Sequence, residues 1–263
     1  MSITRNLDKA RAAWKKGDGK ESIAAHKLSK SSALEEHKTS GQYIKSAVYG
    51  GLDGTVTTFA VVAGVAGASL NSSIVLIMGF ANLVADGLSM AIGDYLSTKS
   101  EREYHAAERE REAWEVKNYP EGEKQELIDI YKDKGLPEKD AKIIVNTLSK
   151  HEKAWVDVMM VEELGIVEND ESPLKNAFVT FISFAIFGFI PLAAYVAAAI
   201  IPFFELHTLL IACILTGLTL FTLGALKVKV TGKNWIYSGF EMLIIGGITA
   251  TAAYGIGYLL AGI

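Results

Sequence analysis

The chain alternates between long apolar stretches and charged segments. Three stretches contain no lysine or arginine: residues 46–98, 176–226 and 234–263. The run FVTFISFAIFGFIPLAAYVAAAIIPFF in the second stretch is continuously apolar, whereas strands of a membrane barrel alternate apolar and polar residues. About 20 helical residues cross the hydrocarbon core of a bilayer. The pattern therefore predicts an all-α membrane protein with five spans, at about residues 45–68, 74–97, 177–200, 208–228 and 236–260.

The charged segments divide the chain into four parts. These are an N-terminal arm (1–44), spans one and two (45–98), an insert (99–175) and spans three to five (176–263). Of the 26 lysines and arginines, 10 lie in residues 1–45, 13 in 99–175 and 3 in 227–233. With five spans these segments share one side, and basic residues are retained on the cytosolic side. We therefore expect the arm and the insert to be cytosolic and the C-terminus to lie on the opposite side.

The N-terminal arm itself allows two interpretations. Its first 40 residues are polar, without a signal peptide, so the first span is expected to direct insertion into the membrane. Basic residues surround Trp14, as in a short helix that rests on anionic headgroups. A solvated tail fits the same residues.

The insert carries a strong negative charge that the average composition of the whole chain conceals. The whole chain has a net charge of −4 and a mean hydropathy of +0.23, but the insert alone has 20 acidic and 13 basic residues, a net of −7. Prolines and glycines divide it into three predicted helices, at about 99–117, 121–134 and 138–164. The acidic balance argues against a nucleic-acid partner.

Four glutamates in the first of these helices recur at intervals of seven, four and three residues, so they form one stripe. They are Glu101, Glu108, Glu112 and Glu115. Like charges at this spacing repel, so something positive is expected to face them. Arginines 102, 109 and 111 on the same helix supply part of that charge, and a solvated acidic face is the alternative.

Two methionines and a glutamate share a face near the end of the insert. Met159 and Met160 lie four and three residues before Glu163. A Met–Met pair in this position is commonly part of an apolar core. Thioether and carboxylate together, however, combine soft and hard donors, which suit Fe²⁺ better than Ca²⁺ or Mg²⁺.

Acidic side chains also lie inside the first two predicted spans. Asp53 is in the first span, and Asn82, Asp86 and Met90 follow one another along nearly one face of the second. An ionisable group at membrane depth is costly and marks a transport pathway or a proton relay. Asp94 and Glu241, closer to span ends, also suit the interface. The single cysteine, Cys213, forms no intramolecular disulfide and is expected to be a small core residue.

Three segments, in order, resemble the vacuolar iron transporter family. They are YGGLDGTVTTFAVVAGVAGA, NLVADGLSMAIGDYLSTKSE and AWVDVMMVEELGI. The resemblance covers nearly the whole chain beyond about residue 40, including the five spans and the place of the insert. It implies a homodimer that moves Fe²⁺, and often Mn²⁺, out of the cytosol in exchange for protons, along a path at the dimer interface. It also implies a cytoplasmic metal-binding domain.

The resemblance carries over to individual positions. Asp53 and Met90 match intramembrane motif residues. The metal-binding domain is matched by Glu112 and Glu115 in its first helix, Glu123 and Glu126 in its second, and Met159, Met160 and Glu163 at its end. Where plant and yeast members carry a second-span glutamate, this chain has Asn82, and Asp86 one turn later is a candidate replacement. We therefore expect a transport path through Asp53, Asn82, Asp86 and Met90, fed by the metal-binding insert.

Two other classes of function remain open at this point. A membrane-anchored iron oxidase of the ferritin-like kind needs paired Glu-x-x-His motifs, and none occurs in the chain. A membrane scaffold explains the charge distribution but not the intramembrane acids. The chain is therefore expected to be a transporter rather than an enzyme. It would have no permanently bound cofactor, and Fe²⁺ would be its cargo, with Mn²⁺, Co²⁺ and Zn²⁺ as further candidates. Without a eukaryotic sorting signal, a prokaryotic plasma membrane is the expected location.

Overall fold

The computed structural model describes residues 16–18, 20–21, 40–167, 172–231 and 234–261. Most of the N-terminal arm, and with it the choice between a headgroup-bound helix and a solvated tail, lies outside these ranges. From residue 40 onward the described chain forms α-helices and one 3₁₀ helix, without strands. In chain order these are α1 (Ser40–Gly67), α2 (Ser72–Asn118), α3 (Pro120–Asp133), α4 (Glu138–Leu148), α5 (Glu152–Glu162), α6 (Pro173–Ile200), the 3₁₀ helix (Pro202–His207), α7 (Thr208–Thr231) and α8 (Trp235–Leu260).

Five of these helices are long and apolar enough to cross a membrane: α1, α2, α6, α7 and α8. They confirm the predicted all-α membrane fold with five spans. The short segments between predicted spans one and two, and between spans three and four, also lie where the predicted bounds place them. Ser69, between α1 and α2, has a left-handed backbone with φ of 54°, and Pro202 begins the 3₁₀ helix between α6 and α7. Helix α2 is 47 residues long, because its apolar part continues directly into the charged stripe.

The chain divides into two compact units, which we name the five-helix unit and the insert unit. The first contains Met1–Met90 and Phe178–Ile263, and the second is Ala91–Ala177. In the five-helix unit, α1 supplies fully buried Val62, and α6 and α7 supply Leu192 and Ala212 to the same apolar core. Because α1 packs against α6 and α7 in this core, the polar residues of α1 lie next to these helices.

Helix α1 approaches α6 backbone to backbone. A Cβ added to Gly188 would come within 2.8 Å of the carbonyl oxygen of Gly54, and one added to Gly54 would overlap the backbone of Phe184. The Thr55 hydroxyl donates to the carbonyl of Gly51 at 2.7 Å and lies 3.3 Å from that of Phe187 on α6. Membrane helices depend on such small-residue contacts, since lipid supplies no hydrophobic drive for their association.

Helix α8 packs against α1 with equally little space, which gives a test of the fold. A Cβ on Gly257 would overlap the carbonyl oxygen of Gly64, whereas a Cβ on Gly255 meets no atom within 4 Å. Gly257→Ala should therefore lower the thermal midpoint of the detergent-solubilised protein, since overpacking costs about 1–3 kcal/mol. Gly255→Ala, two residues away, should not lower the midpoint, since its Cβ meets open space and alanine favours the helix. Equal midpoints for the two variants would contradict the packing of α8 on α1.

The insert unit has its own apolar core. The end of α2, α3, α4 and α5 contribute Val116, Leu127, Val145 and Trp155, all buried. Pro120 begins α3, and Gly135 and Gly165, with φ of 92° and 66°, follow the ends of α3 and α5. Two ion pairs, Arg109 with Asp157 and Lys134 with Glu162, tie α5 to the rest of the unit.

The third predicted helix of the insert is divided into two. Helix α4 ends at Leu148 and α5 begins at Glu152, with His151 in a non-helical conformation (φ −128°, ψ 86°) between them. No proline or glycine occurs at this break. The core explains it, because Val145 and Trp155 are both buried in the same cluster, and tertiary packing overrides local helix propensity.

Two residues of the five-helix unit differ from or refine the sequence prediction. Cys213 is exposed rather than part of the core, because α7 turns the face of Ala212 and Thr216 inward and Cys213 lies on the other side. Glu241 on α8 forms an ion pair with Lys227 on α7 at 3.3 Å. That acid is therefore neutralised locally.

Candidate functional site

Three glutamates from different helices meet in the insert unit, and we call them the carboxylate cluster. Glu112 is near the end of α2, Glu123 is in the first turn of α3, and Glu163 directly follows α5. One carboxylate oxygen from each lies within 4.8 Å of the others. Pro120 turns the chain back after α2 and so brings Glu123 to Glu112, while the Glu163 N–H donates to the Met159 carbonyl at 2.9 Å.

Two members of the carboxylate cluster, Glu112 and Glu123, are buried and short of donors, whereas Glu163 is exposed. Glu112 has no exposed surface and Glu123 is 4% exposed. Neither oxygen of Glu112, nor Oε2 of Glu123, receives a hydrogen bond from another group in the described chain. A proton shared between the two carboxyl groups would reduce the repulsion between them. A buried carboxylate normally has partners. A cation that enters the cluster would supply the missing charge.

Burial and mutual repulsion change the acidity of the carboxylate cluster. Desolvation, together with the neighbouring Glu163 and Glu123, raises the pKa of Glu112 to about 8. Desolvation also raises the pKa of Glu123 and of Glu163. Without a metal, the cluster therefore retains a proton at neutral pH. Carboxylates held this close are the hard oxygen donors that divalent cations bind.

The other predicted acids of the insert surround this cluster. Glu115, one turn after Glu112, is half-buried, and Glu126 on α3 is exposed. Both are close enough to act electrostatically on Glu123 and Glu163. The structure thus brings together three of the five glutamates that the resemblance indicated, and it places the other two, Glu115 and Glu126, within electrostatic range of them. It adds Glu108, which lay on the predicted stripe but not among the ligand candidates. The interval of four residues to Glu112 is the signal that identifies it.

Met159 and Met160 lie in the apolar core of the insert unit. They are 0% and 1% exposed and belong to the cluster that contains Trp155 and Leu127. This is the environment that the core interpretation of the Met–Met pair predicts. Their role as ligands remains a proposal, carried by the resemblance alone.

The predicted transport-path residues lie in the five-helix unit. Asp53 on α1, and Asn82 and Met90 on α2, are half-buried, whereas Asp86 is exposed. Asp53 and Asp86 are within electrostatic range of one another, and Nδ2 of Asn82 is buried without a hydrogen-bond partner among the described residues. The two aspartates of α1 and α2 therefore act on one another electrostatically in the five-helix unit.

Comparison with known proteins gives a consistent result. The VIT family model matches residues 44–258. A vacuolar iron transporter of Toxoplasma gondii is 42% identical over 97% of this chain and 89% of its own length. Those of Plasmodium falciparum and Arabidopsis thaliana are each 36% identical, over 86% and 84% of this chain and 85% and 87% of their own lengths.

These relatives bear on two expectations. They are eukaryotic proteins with vacuolar names, so the expectation of a prokaryotic-type member in a plasma membrane gains no support. The expected family gains full support, since the matched region runs from α1 into α8 and includes both the carboxylate cluster and the intramembrane aspartates. The chain belongs to the VIT family.

Proposed function

We propose that this protein moves divalent iron across a membrane, out of the cytosol. The carboxylate cluster is the observation that carries the proposal, because fully buried Glu112 lacks a donor for either oxygen and faces two further carboxylates. The names of the relatives supply the metal, since they are iron transporters rather than enzymes. Oxygen donors of this kind also bind Mn²⁺, so manganese is a second expected cargo.

The insert is proposed to collect the metal. Glu112, Glu115, Glu123, Glu126 and Glu163 would bind it, with Met159 and Met160 as soft donors that favour a transition ion over Mg²⁺ or Ca²⁺. A net charge of −7 in the insert raises the local concentration of cations. The positive-inside distribution of lysine and arginine supports a cytosolic position for the insert.

The path across the membrane is proposed to pass Met90, Asn82, Asp86 and Asp53. In exchange, protons from the far side would neutralise the aspartates and release the metal. A second subunit is proposed to complete this path. Asp86 is exposed in the single chain, and an acidic side chain is costly against lipid, so a second copy of α2 is the expected cover.

Transport into proteoliposomes tests the proposal directly. Uptake of Fe²⁺, Mn²⁺, Co²⁺ and Zn²⁺ should be measured with and without a pH gradient, alongside Fe³⁺ formation as a control for oxidase activity. We expect Fe²⁺ and Mn²⁺ uptake that accelerates when the receiving side is acidic. Absence of Fe²⁺ uptake would refute iron transport. Uptake at the same rate with and without the pH gradient would refute proton exchange but not iron transport.

A further inference from the structure

Arg111 lies beside the carboxylate cluster and holds two of the surrounding acids. Its guanidinium is 2.7 Å and 3.0 Å from Oε2 of Glu108, through Nη2 and Nε. Its Nη1 is 3.3 Å and 3.5 Å from the two carboxylate oxygens of Glu115. These glutamates are one turn before and one turn after Glu112 on the stripe of α2. Arg111 thus bridges the two acids on either side of Glu112.

Other cations near this site have different partners. Arg109 pairs with Asp157 and Lys134 with Glu162, so both tie α5 to its neighbours. Arg111, in contrast, acts electrostatically on Glu163, a member of the carboxylate cluster. Its side chain is 46% exposed, which leaves it free to turn toward solvent without disturbing the core.

We propose that Arg111 is a built-in counter-ion that holds Glu115 while the carboxylate cluster is empty and gives it up to an arriving divalent cation. The inference rests on the proposed metal-binding role of the insert. Its contacts determine which acid moves. The bond to Glu108 is the shorter, so Arg111 stays with Glu108 when the longer contact to Glu115 breaks. Glu115 is then the ligand that arrives last.

This role has an energetic consequence of definite sign. A guanidinium beside the cluster repels a divalent cation and competes for Glu115, so it weakens metal binding. In the metal-free protein the same guanidinium offsets the repulsion along the stripe, so it stabilises the fold. Arg111 therefore lowers the affinity for the metal and raises the stability of the metal-free protein. A purely structural arginine would contribute only the second effect.

The test uses the full-length protein in detergent, titrated with Mn²⁺ by calorimetry at low ionic strength. Arg111→Gln should bind Mn²⁺ about tenfold more tightly, because the substitution removes a repelling unit charge near the divalent ion and also releases Glu115. Its metal-free thermal midpoint should fall. Arg102→Gln is the matched control, because it removes the same charge from the exposed surface of the same helix, and should leave the affinity unchanged. Arg111→Lys keeps the charge without the planar fork and should fall between Arg111→Gln and the unaltered protein.

A second variant isolates Glu115 from the general effect of charge. In a Glu115→Gln background, Arg111→Gln should tighten Mn²⁺ binding by a smaller factor, since the contested ligand is gone and only the loss of direct repulsion remains. Tightening of the same size in both backgrounds would refute the transfer of Glu115, and equal or weaker binding by Arg111→Gln would refute the counter-ion role. Failure of the unaltered protein to bind Mn²⁺ would instead count against the proposed metal-binding function.

Discussion

Proteoliposomes that contain Asp53→Asn should take up Fe²⁺ at least about tenfold more slowly than those with the unaltered protein. Asp53 is half-buried on α1, within electrostatic range of Asp86, in a stretch of 53 residues without a lysine or arginine. The amide keeps the size and polarity of the side chain but cannot carry the negative charge that balances a cation. The measurement is the initial rate of uptake driven by a pH gradient.

Glu241→Gln is the matched control for this substitution. It makes the same chemical change in another membrane helix, at an acid that pairs with Lys227 and is not part of the proposed path. It should retain most of the transport rate, although its thermal midpoint is expected to decrease. If Asp53→Asn folds normally and transports at the unaltered rate, the intramembrane assignment is wrong.

Binding of Mn²⁺ to the full-length protein should strengthen about tenfold for each pH unit between pH 6 and 7.5, and level off above about pH 8. The reason is the pKa of about 8 for Glu112, which means that a proton must leave the carboxylate cluster before the metal can bind. Calorimetry in buffers of different ionisation enthalpy should detect the release of that proton.

The stability of the metal-free protein should have the opposite dependence on pH. In the unfolded chain a glutamate has its ordinary pKa of 4.5, so the folded state binds more protons than the unfolded state between about pH 5 and 8. Metal-free stability should therefore fall as the pH rises through this window, and added Mn²⁺ should restore it.

Glu112→Gln should remove both pH effects and weaken Mn²⁺ binding at least about tenfold. Glu110→Gln, an exposed change on the same helix, should retain both effects. A pH-independent affinity in the unaltered protein would show that the carboxylate cluster is not the binding site.

The five spans were predictable because a helix that crosses the hydrocarbon core must be long and continuously apolar. In this chain each such segment also lacks lysine and arginine. The break between α4 and α5 was not predictable, since no proline or glycine occurs at 149–151 and the cause is the shared burial of Val145 and Trp155. Local sequence predicts that a helix forms, but tertiary packing decides where that helix is interrupted.

The residues of the candidate site also divide into those that the sequence predicted and those that it did not. Spacing alone identified the stripe with Glu112 and Glu115, because both lie on one helix. Glu123 followed from the resemblance, since its approach to Glu112 depends on the turn at Pro120. Spacing also named Arg111 as a source of positive charge, but its fork between Glu108 and Glu115 depends on side-chain geometry that no pattern specifies.

The backbone contact between α1 and α6 limits how this protein can change shape. Gly54 and Gly188 leave no room for sliding, and separation would abandon the Thr55 contact to Phe187 and the hydrogen bond from Ser183 to the Ala47 carbonyl. Asp53 lies within this locked pair of helices. If the proposed transport cycle exposes Asp53 to one side of the membrane and then the other, we expect α1 and α6 to move together, with the motion taken up by the helices that face them.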